Sequence, residues 1–333
     1  MRFISGIQPS GTITLGNYLG AIRNFVNLQN ECKFDDILVF IADLHAITVA
    51  QDKQELRKNI RSLAALYLAC GLDPQKTHIF IQSEVPAHTE LSWVLECNTY
   101  IGELQRMTQF KDKSQKHQTD GVSTGLLTYP VLMASDILLY DADVVPVGQD
   151  QKQHLELCRD IAIRFNSKYG DTFTVPEGYM SKNSAKIMSL TDPSKKMSKS
   201  DDNPKSYISI LDDINIAKKK IKSAVTDLDT EVRFDKENKP GVSNLISIAS
   251  AISGLSIEEI EAKFKGQNYA TFKEYVANLV AELLENIQKK YNEIINSQEL
   301  DQILDEGRDY ANYLANKKIS KVKNKVGLGR KIK

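Results

Sequence analysis

The sequence predicts an α/β fold, in which a first domain built around a parallel sheet is followed by a second, all-helical domain. Up to residue 190, short apolar runs alternate with stretches in which apolar residues recur at helical spacing. The run I-L-V-F-I-A at 37–42 is apolar throughout, which is typical of a strand buried on both faces. Beyond Pro204, strand patterns nearly vanish and helical patterns replace them. This change indicates a boundary between the two domains near residue 200.

The elements of the first domain follow from this alternation. Segment 15–28 is predicted to be a helix because Leu15, Leu19 and Ile22 form one apolar stripe. Segment 53–70 is predicted to be a long helix that ends at Gly71, since glycine is common just after a helix C-terminus. The other predicted elements are strands at 3–7, 37–42, 78–82, 143–147 and 187–190 and a helix at 151–165.

The second domain, 201–333, is predicted to consist of helices. They are placed at 208–225, 243–253, 257–264, 269–295 and 297–316. The segment that follows, 317–333, carries only positive charge, which distinguishes it from the rest of the chain. Its basic residues are Lys317, Lys318, Lys321, Lys323, Lys325, Arg330, Lys331 and Lys333.

Composition limits the classes of function. The 333 residues are 41% hydrophobic, enough for a core, and Lys+Arg and Asp+Glu both number 43. A polyanion would therefore be met by local basic patches, because the net charge gives no overall attraction. The four cysteines are scattered with no C-x-x-C pair, which is typical of reduced thiols in a cytosol. Without a signal-peptide pattern or a long apolar stretch, we expect a cytoplasmic protein that does not span a membrane.

The first candidate binding loop is G-I-Q-P-S-G-T-I-T-L-G-N at 6–17, between a predicted strand and a predicted helix. Its glycines allow the backbone to approach a phosphate, and the helix N-terminus offers free N–H groups to anions. In parallel α/β sheets, ligands bind at the loops that follow the strands. The loop matches neither common phosphate-binding fingerprint, so a turn with a helix cap is the favoured explanation when this loop is taken alone.

A second candidate loop, S-K-K-M-S-K-S at 194–200, combines three lysines with three serines. A lysine is a compact charge on a flexible stem and suits triphosphate oxygens. The alternative is a solvated charged turn, since Asp201 and Asp202 could neutralise two of the lysines.

The stretch 129–140 indicates a pocket. At helical spacing, one face is apolar except for Asp136, and a buried carboxylate is costly unless a donor satisfies it. Pro130 suggests that this helix starts close to residue 129. An apolar pocket with one acceptor suits a flat aromatic ligand with one N–H, such as indole, whose nitrogen only donates. A purely structural pairing of Asp136 is the alternative.

Together, T-L-G-N at 14–17 and K-M-S-K-S at 196–200 resemble the two signature sequences of class I aminoacyl-tRNA synthetases, and the chain looks like the bacterial tryptophanyl type over nearly its full length. Further matching segments are G-I-Q-P-S-G at 6–11, D-L-H-A-I-T at 43–48, L-L-T-Y-P-V-L-M-A-S-D-I-L-L-Y at 126–140, P-V-G-Q-D-Q-K-Q-H at 146–154 and G-L-G-R at 327–330. The resemblance implies a Rossmann-like catalytic domain at 1–200 and a tRNA (anticodon)-binding helical domain at 201–333.

The resemblance also implies two steps: ATP activates L-tryptophan to tryptophanyl-adenylate with release of pyrophosphate, and tRNA(Trp) then accepts the amino acid. Lys199, Lys196 and Asn17 would be catalytic, with the two lysines neutralising the leaving pyrophosphate, and Lys111 would be a further phosphate contact. Mg²⁺ would arrive with ATP, held by phosphate oxygens. The residues that would bind tryptophan are Asp136, Met133, His45, Tyr129 and Gln151. The residues that would bind ATP are Gln8, Pro9, Ser10, Gly16, Asn17, Gly148, Gln149, Asp150, Ile187, Lys196, Met197, Ser198, Lys199 and Ser200.

The expected partners are tRNA(Trp), through the helical domain and the basic C-terminal segment, and a second copy of the chain in a homodimer; no DNA partner is expected. Trp93 and Met107 are interpreted as core or interface residues. One departure from the family is Ile4, where many relatives carry a phenylalanine that walls the indole. Since strand neighbours point to opposite faces, Phe3 is not expected to replace it.

Three alternatives share parts of this pattern. A tyrosyl-tRNA synthetase has the same fold and signatures, but Asp136 beside Met133 and the absence of an appended C-terminal module argue against it. A small-molecule nucleotidyltransferase is typically much shorter. A non-catalytic relative that binds tRNA or nucleotide is disfavoured by the intact signatures.

Overall fold

The structure is a computed structural model that describes residues 1–31, 33–116, 121–148, 151–179, 186–199 and 201–330. A five-stranded sheet lies at the centre of its first half, in the order β3-β2-β1-β4-β5, with every pair of neighbours parallel. The strands are β1 (Arg2–Ile7), β2 (Asp36–Ile41), β3 (His78–Ile81), β4 (Val144–Pro146) and β5 (Glu177–Tyr179). The predicted parallel sheet is confirmed.

Strand β2 is buried on both faces, as its unbroken apolar run predicts. Val39 and Ile41 pack in one hydrophobic cluster, whereas Leu38 and Phe40 pack in the other, on the opposite face of the sheet. Strand order reverses between β1 and β4, because the chain builds the sheet outward from β1 in one direction and then returns to its other side. In open parallel sheets, ligands bind in the crevice at such a reversal.

Helices cover both faces of the sheet. Helix α4 (Lys53–Ala69) shows how local sequence sets the bounds: the Asp52 carboxylate accepts from the first backbone N–H groups, and Gly71 adopts a φ of 108° just after the end. A π-helical turn, Tyr18–Ile22, separates α1 from α2. The other helices of this half are α1 (Leu15–Asn17), α2 (Arg23–Asn30), α3 (Asp43–Ala46), α5 (Ala87–Glu96), α6 (Ile101–Gln105), α7 (Thr108–Lys116), α8 (Thr124–Leu138) and α9 (Lys152–Tyr169).

Two elements differ from the sequence-based prediction. Segment 187–190 is outside the sheet and forms an isolated antiparallel bridge, Met188 with Lys196; the fifth strand is β5, whose E-G-Y sequence has no apolar run.

Helix α8 begins at Thr124, after the cap residue Ser123, so Pro130 lies inside the helix instead of in its first turn. The helix tolerates the proline because its buried face packs against α5 and α9.

The second half is helical, as predicted. It comprises α10 (Ile214–Lys222), α11 (Pro240–Ser253), α12 (Ile257–Lys263), α13 (Tyr269–Ile294) and α14 (Gln298–Val326). The helix predicted to start at 208 starts instead at Ile214, after the N-cap Asp213. The residues before α10 form backbone hydrogen bonds with the candidate binding loop at 6–17: Leu15 N donates to Ile208 O at 2.8 Å, and Ile210 N donates to Ile13 O at 2.9 Å.

Helix α14 returns to the first domain and packs on β3 and α5. Gly307 makes this approach possible, because a Cβ there would lie 1.9 Å from the carbonyl oxygen of Ile79. The helix extends ten residues beyond its predicted end and includes much of the basic segment. Lys318 is buried in it, where it bonds Asp141 and donates to Thr172 O at 2.8 Å, and Lys323 pairs with Glu90 at 2.7 Å. The basic segment is therefore largely a packed helix, and part of its charge is neutralised within the chain.

Within the described ranges, no single helix is long and apolar enough to cross a membrane. Only α11 and α12 taken together reach that length, and they meet at a bend of 107°.

Candidate active site

A cavity of about 400 Å³ opens at the reversal of strand order, where β1 and β4 end side by side. One wall comes from these strand ends, a second from α3 and a third from α8. The residues that border it are Ile4, Ser5, Gly6, Ile7, Gln8, Phe40, Ala42, His45, Gln109, Tyr129, Met133, Asp136, Ile137, Val145, Pro146, Val147 and Gln151. All five residues predicted to bind tryptophan therefore border one cavity.

Asp136 is the buried acceptor of this cavity, with 2% of its surface exposed. His45 Nε2 lies 2.7 Å from its Oδ2, and Gln82 Nε2 and His88 Nδ1 lie 2.7 and 2.6 Å from its Oδ1. Burial alone would raise the pKa of Asp136, but the hydrogen bonds from His45 and His88 outweigh it and lower the pKa. Asp136 is therefore an ionised acceptor at neutral pH.

Tyr129 closes one side of the cavity. Its hydroxyl donates to Gln109 Oε1 at 3.2 Å and lies 3.0 Å from His154 Nε2, and its ring stands edge-on to that of His45 at 6.2 Å. Burial raises the pKa of Tyr129 to about 12, so the phenol keeps its proton. With Met133 one turn further along α8, these side chains form a mostly apolar enclosure around the Asp136 carboxylate.

The β1 wall of the cavity is aliphatic. Ile4 borders the cavity, whereas Phe3 points to the opposite face of β1 and packs against Phe25 and Phe34. The expectation that Phe3 does not substitute for the missing aromatic wall is confirmed. Aromatic surface is supplied instead by Phe40 of the neighbouring strand β2.

The two candidate binding loops contact each other beside this cavity. Gly11 has a φ of 111°, and the side chain of Lys199 lies over it so closely that a Cβ would meet Lys199 Nζ at 2.1 Å. A Cβ on Gly16 would meet Met197 Cβ at 3.3 Å and Ile187 Cβ at 3.6 Å. The structure thus brings together two segments that are about 180 residues apart in sequence.

Asn17 has a defined local contact. Its Oδ1 accepts from Thr14 Oγ1 at 2.8 Å, and Thr14 Oγ1 accepts from Asn17 N at 3.2 Å, which forms a reciprocal cap at the start of α1. Asn17 itself is exposed, and within the described chain its amide nitrogen has no hydrogen-bond partner. The cap therefore orients the side chain with its donors toward solvent.

The three lysines of the second loop differ in their surroundings. Lys195 forms an ion pair with Asp192 at 3.0 Å, so the solvated-turn interpretation holds for this lysine. Lys196 and Lys199 are exposed and make no ion pair with any residue that the structure describes. Two cations on this loop are therefore available for an anionic ligand, and one of them lies over Gly11.

The loop is held at its base by the helical half of the chain. Met197 is buried, and its N–H donates to Ile187 O at 3.0 Å. Asn244 of α11 then binds both backbone groups of Met188: its Oδ1 accepts from Met188 N at 2.8 Å and its Nδ2 donates to Met188 O at 2.9 Å. The lysines consequently extend from a fixed base.

The structure describes most of the other residues predicted to contact ATP. Gln8 borders the cavity, Pro9 is buried, and Ser10 and Ser198 are exposed; Gly148 follows the end of β4, and Ile187 is almost fully buried. Lys111 is exposed on α7. Gln149, Asp150 and Ser200 lie outside the described residues. The ATP contacts themselves remain predictions.

Sequence reasoning missed Gln82, His88 and Gln109. Gln82 directly follows β3, so the rule that ligand-binding residues follow strand ends could have identified it. His88 lies at the start of α5 and Gln109 at the start of α7, and neither stands in a recognisable pattern. In the described part of the chain, no group of three or more His, Cys, Asp or Glu side chains could hold a metal ion.

Comparison with known proteins is consistent with this geometry. The family described as tRNA synthetases class I (W and Y) matches residues 1–285. Tryptophan–tRNA ligases of Halalkalibacterium halodurans and Bacillus subtilis are 61% and 60% identical to the chain over 329 and 327 residues, which is 98% of this chain and 98% of each relative.

Solved structures give the same relationship. The tryptophanyl-tRNA synthetase of Mycoplasma pneumoniae superposes with a TM-score of 0.90 at 40% identity and covers 98% of both chains. That of Campylobacter jejuni, solved in complex with ADP and tryptophan, superposes with a TM-score of 0.83 at 38% identity over 98% of this chain and 100% of the other.

Proposed function

The chain belongs to the class I tRNA synthetases of the tryptophan and tyrosine group, on the bacterial tryptophan branch, and from this premise we propose which of its residues carry each part of the reaction. The enzyme is an ATP-dependent ligase that activates L-tryptophan to tryptophanyl-adenylate, releases pyrophosphate and transfers tryptophan to the 3′ end of tRNA(Trp). The observation that carries the assignment of roles is the contact of the two loops beside the Asp136 cavity.

The cavity holds the amino acid. Asp136 accepts the indole N–H, and Met133, His45, Tyr129 and Gln151 enclose the ring and the amino-acid backbone. The phenylalanine ring has no N–H to offer, so it would leave one acceptor position of the buried carboxylate unpaired, and such a loss discriminates strongly between substrates.

The two loops hold ATP. Lys199 and Lys196 neutralise the β- and γ-phosphates as pyrophosphate leaves, with hydroxyl donors from Ser198 and Ser200. On the other side, ATP is held by Gln8, Pro9, Ser10, Gly16 and Asn17, its ribose by Gly148, Gln149 and Asp150, and its adenine by Ile187. Lys199 already lies over the glycine-rich loop, which supports its place in the phosphate site.

The chemistry needs charge stabilisation more than acid–base groups. The tryptophan carboxylate attacks the α-phosphorus while the bond to the bridging oxygen of pyrophosphate breaks, so negative charge grows on the departing group. Cations placed around that group lower the barrier, because they are stronger partners for the transition state than for the bound substrate. Mg²⁺ enters bound to ATP and is held mainly by phosphate oxygens.

The helical half binds tRNA. Its exposed basic groups include Lys219 on α10 and, on α14 and beyond, Lys317, Lys325 and Arg330, and Lys218 on α10 is partly exposed, whereas Lys220 and Lys318 are committed to Asp212 and Asp141. We assign the catalytic domain to 1–200 and the tRNA (anticodon)-binding domain to 201–333, although α14 packs on β3 and α5 of the catalytic domain.

The enzyme acts as a cytoplasmic homodimer. Trp93 is 67% exposed and Ile47 is 61% exposed, and both border a second cavity of about 430 Å³ with Leu44 and Leu132. A large aromatic side chain exposed beside other apolar groups is typical of a protein interface. This supports an interface role for Trp93, and the buried Met107 belongs to the core.

Amino-acid-dependent exchange of labelled pyrophosphate into ATP tests the assignment directly. Each of the twenty amino acids is offered in turn to the purified enzyme. We expect exchange with tryptophan alone. Exchange with tyrosine would retain the mechanism and overturn the pocket assignment, and no exchange from folded protein that binds ATP would contradict the activity itself.

A further inference from the structure

Asp136 receives hydrogen bonds unequally on its two carboxylate oxygens. Oδ1 lies 2.7 Å from Gln82 Nε2 and 2.6 Å from His88 Nδ1, whereas among the residues that the structure describes Oδ2 has one donor, His45 Nε2 at 2.7 Å. His45 borders the cavity together with Asp136, but Gln82 and His88 are fully buried and lie behind the carboxylate. The oxygen with fewer donors is therefore the one on the cavity side.

Each donor behind Asp136 is itself held in place. Gln82 Oε1 accepts from Leu44 N at 3.1 Å, so its amide nitrogen must be the group that faces Asp136. His88 Nε2 lies 2.7 Å from the Tyr140 hydroxyl. A neutral imidazole that donates from Nδ1 accepts at Nε2, and Tyr140 supplies that donor. Burial and the nearby charge of Asp136 raise the pKa of Tyr140 well above its usual value, so its hydroxyl keeps its proton.

The number of acceptor positions follows from these contacts. An ionised carboxylate offers about four lone-pair positions, two on each oxygen. Gln82 and His88 fill both positions on Oδ1, and His45 fills one on Oδ2. We propose that Gln82 and His88, supported by Tyr140, are specificity-determining positioning residues, which saturate Oδ1 so that a single acceptor position on Oδ2 faces the amino-acid cavity.

This inference rests on the proposed role of Asp136 and extends it to residues that do not touch the substrate. A single acceptor position accommodates one N–H donor, which is the hydrogen-bonding capacity of indole. It also fixes the carboxylate so that Oδ2 cannot turn away from the cavity when no donor is present. An indole analogue without the N–H consequently leaves that position unpaired and buried, which is the source of discrimination.

The test compares tryptophan with β-(3-benzothienyl)alanine, in which sulfur replaces the indole N–H. The ratio of their kcat/KM values in pyrophosphate exchange is measured for the wild-type enzyme, His88→Phe, Gln82→Met and Tyr140→Phe. We expect His88→Phe and Gln82→Met to lower the preference for tryptophan about tenfold or more, through KM for the amino acid, and to leave KM for ATP unchanged. Tyr140→Phe should have a smaller effect in the same direction.

His88→Asn provides the matched rescue, because its amide nitrogen can take the place of Nδ1 as a donor. It should restore part of the preference that His88→Phe loses. A purely structural role predicts equal losses with both substrates, so an unchanged ratio in the variants that still bind ATP would overturn the inference. If His88→Phe does not fold, the inference is tested by Gln82→Met and Tyr140→Phe, with the same ratio of kcat/KM values for tryptophan and the analogue. Failure of the wild-type enzyme to activate tryptophan would instead contradict the proposed function.

Discussion

The amino-acid cavity and the lysine loop at 194–199 are built on opposite principles. Around Asp136, all three donors are buried, and Gln82 and His88 are each held by a further partner, so the carboxylate is fixed before any ligand arrives. In the loop, Lys196 and Lys199 are exposed and have no ion-pair partner among the described residues, and only the base of the loop is anchored.

This difference separates recognition from catalysis. A fixed acceptor in a buried site selects for a matching donor, because an unmatched ligand leaves it unpaired. Cations on a loop can follow charge as it moves onto a leaving group, and a short polar loop can open again to release product. We therefore expect changes in the cavity to alter binding of the amino acid and changes in the loop to alter the rate.

The strongest test of this separation is Lys199→Ala. Removal of a cation that stabilises the leaving pyrophosphate should slow adenylate formation by about 10²- to 10³-fold, while tryptophan affinity changes little. Single-turnover formation of tryptophanyl-adenylate measures the rate. Lys195→Ala is the matched control on the same loop, since Lys195 is already paired with Asp192, and it should be nearly silent.

The corresponding change in the cavity is Asp136→Asn. It replaces a charged acceptor by an amide and should raise KM for tryptophan about 10- to 100-fold, because hydrogen bonds to charged groups contribute about 1.5–3 kcal/mol. Pyrophosphate exchange at varied tryptophan concentration measures it. Met133→Leu, which conserves volume on the same helix, is the control; a comparable rise in KM there would mean that packing and not the acceptor sets affinity.

Much of this architecture is predictable from sequence, for identifiable reasons. The apolar run of β2 and the helical stripe of α8 are local patterns, and the two loops carry recognisable signatures. By contrast, β5 has no apolar run that would mark it as a strand in the sequence, and it is defined by its backbone pairing with β4. His88 and Asn244 contact Asp136 and Met188 across 48 and 56 residues, and no periodicity in the sequence marks such pairs.

A smaller effect is expected from Asn244→Ala. This variant loosens the base of the lysine loop without removing a cation, so it separates the anchoring of the loop from its charge. Two backbone groups of Met188 lose their partner, which should lower the free energy of unfolding by about 1–3 kcal/mol. Urea denaturation measures this. Ser247→Ala on the same helix is the control, since the Ser247 hydroxyl donates to the carbonyl of Ser243 in its own helix; equal losses in both variants would contradict the anchoring role.

The smallest effect concerns pH. Because the folded state lowers the pKa of Asp136, the unfolded chain binds the proton more readily, and stability falls as acid is added. The contribution is complete above the ordinary aspartate pKa of about 3.9 and is lost as pH falls further, through the lower pKa of the folded state. His45 and His88 are the titratable groups that contact Asp136.

Urea denaturation of the wild-type protein and Asp136→Asn from pH 7 to pH 3 tests this. The difference in free energy of unfolding between the two proteins should begin to shrink only below about pH 4. Shrinkage already between pH 7 and pH 5 would mean that the carboxylate is protonated too easily to serve as a fixed acceptor.

The separation of recognition from catalysis is tested most directly by two measurements on the same pair of variants. Equilibrium tryptophan affinity and the single-turnover rate of adenylate formation at saturating tryptophan are determined for Asp136→Asn and Lys199→Ala. We predict that Asp136→Asn weakens affinity far more than it lowers the saturated rate, and that Lys199→Ala does the reverse. Proportional losses of both quantities in both variants would contradict the account.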